Sequence, residues 1–294
     1  MSYKLVSDSC VDIPASLARE LELEILPLKF TIKGKEYKNY LDNREIKPEE
    51  FYSLLREENT VSTAQLNPND FVETFTPFLK AGQDILYLSF SSALSGTYNS
   101  SIIAKKQLSE EYPDRNIVCL DTTCASMGQG LLVTLAARKK LAGASLDEVK
   151  NYVENIKSDI CHLFTVSDLG HLRRGGRLSA SSLVLGNLLN IKPLLHVNIT
   201  GELKVYGKAR GRYKSLNNLI DRMEETFDKN RNEIIYISHG DCLEDAIYVK
   251  DACKEKLGLK EEQFLINHVG PVIGAHSGVN TLAIFYIGNE RNIK

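Results

Sequence analysis

The chain's 294 residues are 43% hydrophobic and 25% charged, a globular make-up that excludes disordered, collagen-like and coiled-coil classes, and a chain of this length is expected to divide into two cores. The 36 Lys and Arg against 38 Asp and Glu leave a formal charge of −2, so no whole-protein field draws in nucleic acid or an anionic membrane. No apolar run nears the ~20 residues of a spanning helix and Met1 to Val6 lack a basic-then-apolar signal, which makes the cytoplasm the expected location.

In chain order, Tyr3 to Val6 reads as a strand, with Asp12 as the N-cap of a helix running to about Leu21. Leu26 to Ile32 and Glu36 to Tyr40 flank Lys33-Gly34-Lys35 as a hairpin, and Pro48 to Arg56 has helical spacing. Val61 to Gln65 reads as a polar loop, Asn69 to Leu79 as a helix after Asn67-Pro68, and Ile85 to Phe90 as a buried strand leading through the loop 91–97 into a helix from Tyr98 to Glu110. The strand Ile117 to Leu120, a helix from about Gly128 to Leu141 and a helix opened by the capping box Ser145 to Glu148 close the first half. The second half opens with His162 to Val166 and a polar Gly-rich stretch, 172–179, followed by an apolar helix from Leu183 to Leu189. Ile191 to Val197 and Leu203 to Lys208 form antiparallel strands about Thr200-Gly201. Helix Leu216 to Phe227, strand Ile234 to Ser238, helix Leu243 to Leu257, strand Phe264 to Val269, a Gly-rich loop 270–278 and strand Leu282 to Ile287 complete the chain. The expected fold class is α/β. One domain spans 1–158, with a mostly parallel sheet covered by helices on both faces, and the other spans 159–294, with a mixed sheet and helices.

Six scattered cysteines without a C-x-x-C pair encode neither a zinc knuckle nor a redox site, and only Cys124, in the loop after a strand, stays open as a site-mouth thiol against its packing role. Ser7, Asp8, Ser9 and Asp12 supply too few carboxylates for a divalent ion and read as loop structure. Ser91 to Thr97, between a buried strand and a helix, fits a small anion cradle built from hydroxyls and a helix start, and fits plain capping equally well. His276 stands in the Gly-rich stretch, where an imidazole beside Ser and Thr hydroxyls would hold a carboxylate without a full salt bridge. The other histidines read as structural. Arg173, Arg174 and Arg177 with Lys208, Arg210 and Arg212 form either a partner-binding patch or a solvated surface, and no G-x-x-x-x-G-K-[ST] phosphate loop is present.

Taken together, the Ser7 to Asp12 start, Thr63 to Gln65, Leu94-Ser95-Gly96-Thr97, Gly176-Arg177-Leu178-Ser179, Ile191-Lys192-Pro193, Lys208-Ala209-Arg210, His239-Gly240 and 270–276 make a pattern that resembles the DegV family, the fatty-acid-binding subunits of bacterial fatty acid kinase, essentially end to end. The chain departs from the family's Thr-Ser-Gln-Pro-Ser at 63–67, and from its Gly-Pro-Gly after the histidine, where Gly278-Val279-Asn280 stands. The resemblance implies a long-chain fatty acid in a tunnel between two domains, its carboxylate held by Thr63, Ser95, Gly96 and His276. It also implies an ATP-using kinase catalytic subunit that phosphorylates the bound acid for phospholipid synthesis, and no cofactor or metal. Leu183, Leu185 and Leu188 are candidate tunnel lining, and Arg177 and Arg210, in polar glycine-flanked segments, are candidate contacts to the kinase. Two other readings compete: a serine hydrolase with Ser95 as nucleophile, His276 as base and Asp8 or Asp121 orienting it, although the Gly-x-Ser-x-Gly elbow is missing; and a scaffold that binds partners through its arginines.

Overall fold

A computed structural model describes residues 2–57, 61–167, 169–178 and 190–293. The first half runs β1 (Tyr3–Asp8), α1 (Ala15–Glu20), β2 (Glu24–Leu26), β3 (Lys29–Ile32), β4 (Lys35–Lys38), α2 (Pro48–Glu57), β5 (Val61–Ala64), α3 (Pro68–Lys80), β6 (Asp84–Ser89), α4 (Thr97–Glu111), β7 (Ile117–Asp121), α5 (Met127–Leu141) and α6 (Leu146–Ile156). The second runs β8 (Ile160–Thr165), α7 (Gly170–Arg174), β9 (Ile191–Val197), β10 (Leu203–Arg210), α8 (Arg212–Thr226), β11 (Ile235–His239), α9 (Leu243–Leu257), β12 (Phe264–His268), α10 (Pro271–Ser277) and β13 (Leu282–Ile287).

Strands β2-β1-β6-β7 form a parallel sheet buried on both faces, which is why β6 reads as a continuous apolar run. Val6, Ile85 and Tyr87 share one core with Phe71 and Phe75 of α3, while Leu5, Leu86 and Leu88 share the other with Leu131 and Leu132 of α5. The alternation along each strand sends successive side chains to opposite layers. A separate antiparallel sheet, β4-β3-β5, is closed by a tight turn in which Lys33 and Gly34 both adopt positive φ, of 50° and 73°. The second domain is a mixed sheet, β10-β9-β8-β13-β11-β12, in which β11 and β12 are parallel and the other pairs antiparallel. The protein is thus two α/β domains, the first with a parallel sheet and the second with a mixed one.

Four local expectations are corrected. Asp12 is not a helix N-cap: it sits at φ 52°, buried, and Pro14 occupies that position. Residues 61–64 are a strand, not a loop, because Thr63 pairs with Phe30 across β3. The stretch 172–179 begins inside the short helix α7. Most consequentially, 270–278 is not a loop: Gly270 caps α10, Pro271 takes its first turn, and Gly278 at φ 83° ends it. The helix expected over 183–189 lies outside the described residues.

The domains are joined by buried polar contacts. Ser126 Oγ donates to Asp12 Oδ2 at 2.6 Å and lies 3.2 Å from Ser238 Oγ; Asn267 donates to the Asp12 carbonyl at 2.7 Å, and Tyr52 to the Val269 carbonyl at 2.8 Å. Arg291, buried, donates to the Thr123 and Lys157 carbonyls of one domain and to the Val197 carbonyl of the other. It also reaches Cys124 Sγ, so that cysteine is a buried packing residue whose thiol pKa burial raises.

Burial pushes the Asp12 carboxyl up to about 8, against the Ser126 hydrogen bond that favours ionisation. An unfolded Asp ionises near ~3.9, so between the two values the folded state keeps a proton the unfolded state has lost, and this group's contribution to stability declines as pH rises through that window. Asp12→Asn removes the titration. Urea unfolding at a series of pH values is expected to show the variant gaining on wild type from pH 4 to pH 8; a constant difference would refute the assignment.

Candidate functional site

Between the two domains lies a cavity whose lining is mostly apolar and is drawn from both halves of the chain. The second domain's sheet forms its floor. Register places Ser238, Ala283 and Phe164 in one row across β11, β13 and β8, and Phe285 beside His162 in the next, and all five line the cavity. Ala283 is the small residue in the first row, so the space above it is open where a larger side chain would fill it. His162 is structural: Ala125 N–H donates to its Nε2 at 3.2 Å, so Nδ1 carries the proton and donates to the Ile160 carbonyl at 2.8 Å.

Three segments distant in sequence bring polar side chains to the cavity lining. Thr63, on β5, shares a hydrogen bond of 2.8 Å with His276 Nε2 on the last turn of α10. The helix α10 packs against β3, β5 and α7, and the His276 ring lies on the bare Cα of Gly175, where an added Cβ would fall 2.1 Å from Nδ1. Ser95, in the loop before α4, shares a hydrogen bond of 2.9 Å with Thr97 Oγ1, which in turn accepts from Leu66 N–H at 3.4 Å. Gly96 is the N-cap of α4 and packs so closely on Gln65 that a Cβ there would fall 2.1 Å from its Oε1. Thr63, Gln65, Ser95 and His276 all line the cavity. The structure thus brings together the residues that the sequence pairs only by resemblance.

Burial pushes the His276 imidazole down to about 4, aided by the nearby charges of Arg177 and His171, so it is neutral near pH 7. A neutral imidazole beside two hydroxyls offers single hydrogen bonds to an anion. Arg177 is half-buried in the cavity wall, where its Nε donates to the Leu94 carbonyl at 3.0 Å and its Nη1 to the Gly175 carbonyl. Its guanidinium ties the Ser95 loop to α7 and puts a cation in the wall of the cavity. Arg210 is exposed at the end of β10. Leu183, Leu185 and Leu188 lie outside the described residues.

The hydrolase arrangement is not formed. Ser95 bonds Thr97 and His276 bonds Thr63. Asp8 accepts instead from Cys10 N–H, Tyr87 OH and Phe90 N–H at 3.1, 2.8 and 2.9 Å, and Asp121 from Ser92 and Thr123. Neither acid orients the imidazole, and the displaced pKa leaves it a poor base. Asp8 has another role that its sequence context did not reveal: by holding Phe90 N–H it fixes the start of the loop that carries Ser95. Among the described residues no cluster of His, Cys, Asp and Glu is arranged to hold a metal ion, and no helix is long and apolar enough to cross a membrane.

Comparison with known proteins identifies the family and the fold. The family described as "Uncharacterised protein, DegV family" matches residues 2–289. A DegV domain-containing protein of Clostridium perfringens is 45% identical over 289 residues, covering 98% of each chain. Among solved structures, a DegV family protein from Thermus thermophilus, described for its fatty acid binding, superposes with a TM-score of 0.86 at 30% identity, covering 98% of this chain and 100% of that one. One from Ruminococcus gnavus, solved with vaccenic acid, superposes with a TM-score of 0.87 at 25% identity, covering 97% and 99%. On the full-length family match and the Clostridium relative, the chain belongs to the DegV family.

Proposed function

We propose that the protein binds a long-chain fatty acid in this cavity, between domains divided at residue 158, with the carboxylate at Thr63, Ser95, the Gly96 turn and His276. In this reading it has no chemistry of its own: it presents the carboxylate, in the cytoplasm, to a separate kinase catalytic subunit. There a carboxylate oxygen attacks the γ-phosphorus of ATP, ADP leaves, and an acyl phosphate is released for phospholipid synthesis. The observation that carries the binding reading is a mostly apolar cavity between the domains, into whose lining three distant segments bring Thr63, Ser95 and His276. The fatty acids described for the Thermus and Ruminococcus relatives support it. The kinase step rests on the family resemblance.

The division of labour is physical. Each buried methylene contributes ~0.8 kcal/mol, so the acyl chain supplies most of the affinity and the polar end supplies orientation. A carboxylate leaving water needs donors. Hydroxyls and a neutral imidazole provide them, while Arg177 adds charge from a guanidinium already engaged with two carbonyls. Arg210, exposed and away from the cavity lining, is the cation assigned to the kinase.

Mass spectrometry of protein purified without denaturation is expected to find a long-chain fatty acid, and the protein alone is expected to hydrolyse neither ATP nor esters. Ser95→Ala removes one hydrogen bond to a charged group, worth ~1.5–3 kcal/mol, and is expected to weaken binding roughly ten- to a hundredfold in a fluorescence competition assay. Ester turnover abolished by the same substitution would establish the hydrolase instead.

The two arginines separate under the same assay. Arg177→Ala is expected to reduce both fatty acid affinity and acyl phosphate formation with the kinase, and Arg210→Ala to reduce acyl phosphate formation alone. Equal losses of affinity in both variants would remove the distinction.

Filling the cavity floor tests where the chain lies. Ala283→Phe projects a ring into the space beside Phe164 and is expected to abolish binding of chains of about sixteen carbons while the protein melts cooperatively as before. Unchanged affinity would place the acyl chain elsewhere.

A further inference from the structure

We infer that the cavity is suited to a fatty acid bearing a hydroxyl group on one of the carbons next to its carboxylate, with Ser277 as the residue that meets it. This rests on the fatty acid reading above and names a substrate class within it. Ser277 follows His276 directly, ends α10, and lines the cavity together with Ile273 one turn earlier. It is 6% exposed, and its Oγ has no hydrogen-bond partner among the described residues. A serine in a helix ordinarily satisfies its hydroxyl on the carbonyl four residues back; this one does not. A buried hydroxyl without a partner is costly, and plain methylenes passing it would leave it so.

A second hydroxyl in the lining is complementary. Thr281, 3% exposed and lining the same cavity, donates its Oγ1 hydrogen to the Gly278 carbonyl at 2.8 Å, which closes the turn after α10 and leaves the oxygen as an acceptor. A ligand hydroxyl both donates and accepts, and Ser277 with Thr281 offers the matching pair. Position along the ligand follows from the chain. Ser277 and His276 are consecutive at the end of α10 and both line the cavity, which sets the inferred hydroxyl on the carboxylate side of the ligand. The cavity's other buried serines behave differently: Ser126 and Ser238 are spent on Asp12 and on each other, and need no ligand.

The test uses the full-length, delipidated protein and measures dissociation constants for hexadecanoic acid and for its 2-hydroxy and 3-hydroxy derivatives. Wild type is expected to bind the better hydroxy acid about three- to tenfold more tightly than the parent acid, the gain of one neutral hydrogen bond. Ser277→Ala is expected to bring that ratio to about one, and Ser277→Thr, which restores a hydroxyl, to recover it. Thermal melting of both variants checks that they fold. A wild-type ratio of one, or a preference that survives in Ser277→Ala, overturns the inference while hexadecanoic acid binding leaves the fatty acid reading standing. Failure of all three acids to bind wild type overturns both.

Discussion

The hydrogen bond between Thr63 and His276 joins side chains 213 residues apart, both in the cavity lining. It forms only if the small antiparallel sheet carrying Thr63 is seated against α10, and α10 only if its neighbours leave room. Gly274 provides that room on one side, since a Cβ there would fall 2.9 Å from both Phe51 and Tyr52, and Gly175 provides it on the other. The cost of this close packing appears in the imidazole itself. A ring that keeps its charge only below about pH 4 has been removed from water, and it cannot bring a fixed positive charge to the site at neutral pH.

The Ser95 side of the site is held by a different device. Asp8 ends the first strand and takes hydrogen bonds from Tyr87 and from the Phe90 N–H, so the loop that leaves β6 starts from a fixed point. Burial raises the Asp8 pKa and those donors lower it again, which places this acid among groups held by hydrogen bonds and not by a counter-ion. Arg177 then closes the loop from the other side through the Leu94 carbonyl. The hydroxyl of Ser95 is therefore positioned by a carboxylate and a guanidinium that belong to different domains, and the site is complete only when the domains meet.

Much of this was legible along the chain. The alternation of buried strands and helices, the Lys33-Gly34 hairpin, the helix after Asn67-Pro68 and the capping box of Ser145 with Glu148 depend on neighbours within a few residues, and the structure contains them. The errors have one source. Residues 270–278 carry three glycines, which local propensity reads as loop, yet two of them bracket α10 and the third permits contact with α2. Strand β5 is short and alternates between half-buried and exposed positions, so its pairing with β3 has no strong local signature. Asp12 stands before a helix but is drawn inward by Ser126, from 114 residues away. Arg177 reads as surface because its acceptors, the Leu94 and Gly175 carbonyls, are backbone atoms that no sequence pattern marks. The motif residues Thr63, Ser95 and His276 were found through family resemblance; spacing alone supplies no reason to join them.

The same arrangement fits the proposed binding role better than a hydrolase built from a serine, a histidine and nearby acids. A nucleophilic serine needs a base within hydrogen-bond reach, and that base needs an acid behind it to stabilise the imidazolium. Here the histidine is bonded to a threonine, burial and the nearby Arg177 guanidinium oppose its protonation, and both acids are committed to backbone and side-chain donors elsewhere. Every one of these features disfavours proton abstraction and favours hydrogen bonding to an anion. A carboxylate held this way gains orientation without a dedicated salt bridge, and its oxygen remains nucleophilic because the groups around it donate hydrogen bonds without transferring a proton. In the proposed function, reactivity therefore stays with the ligand, and the protein's work is to bury the chain and aim the carboxylate.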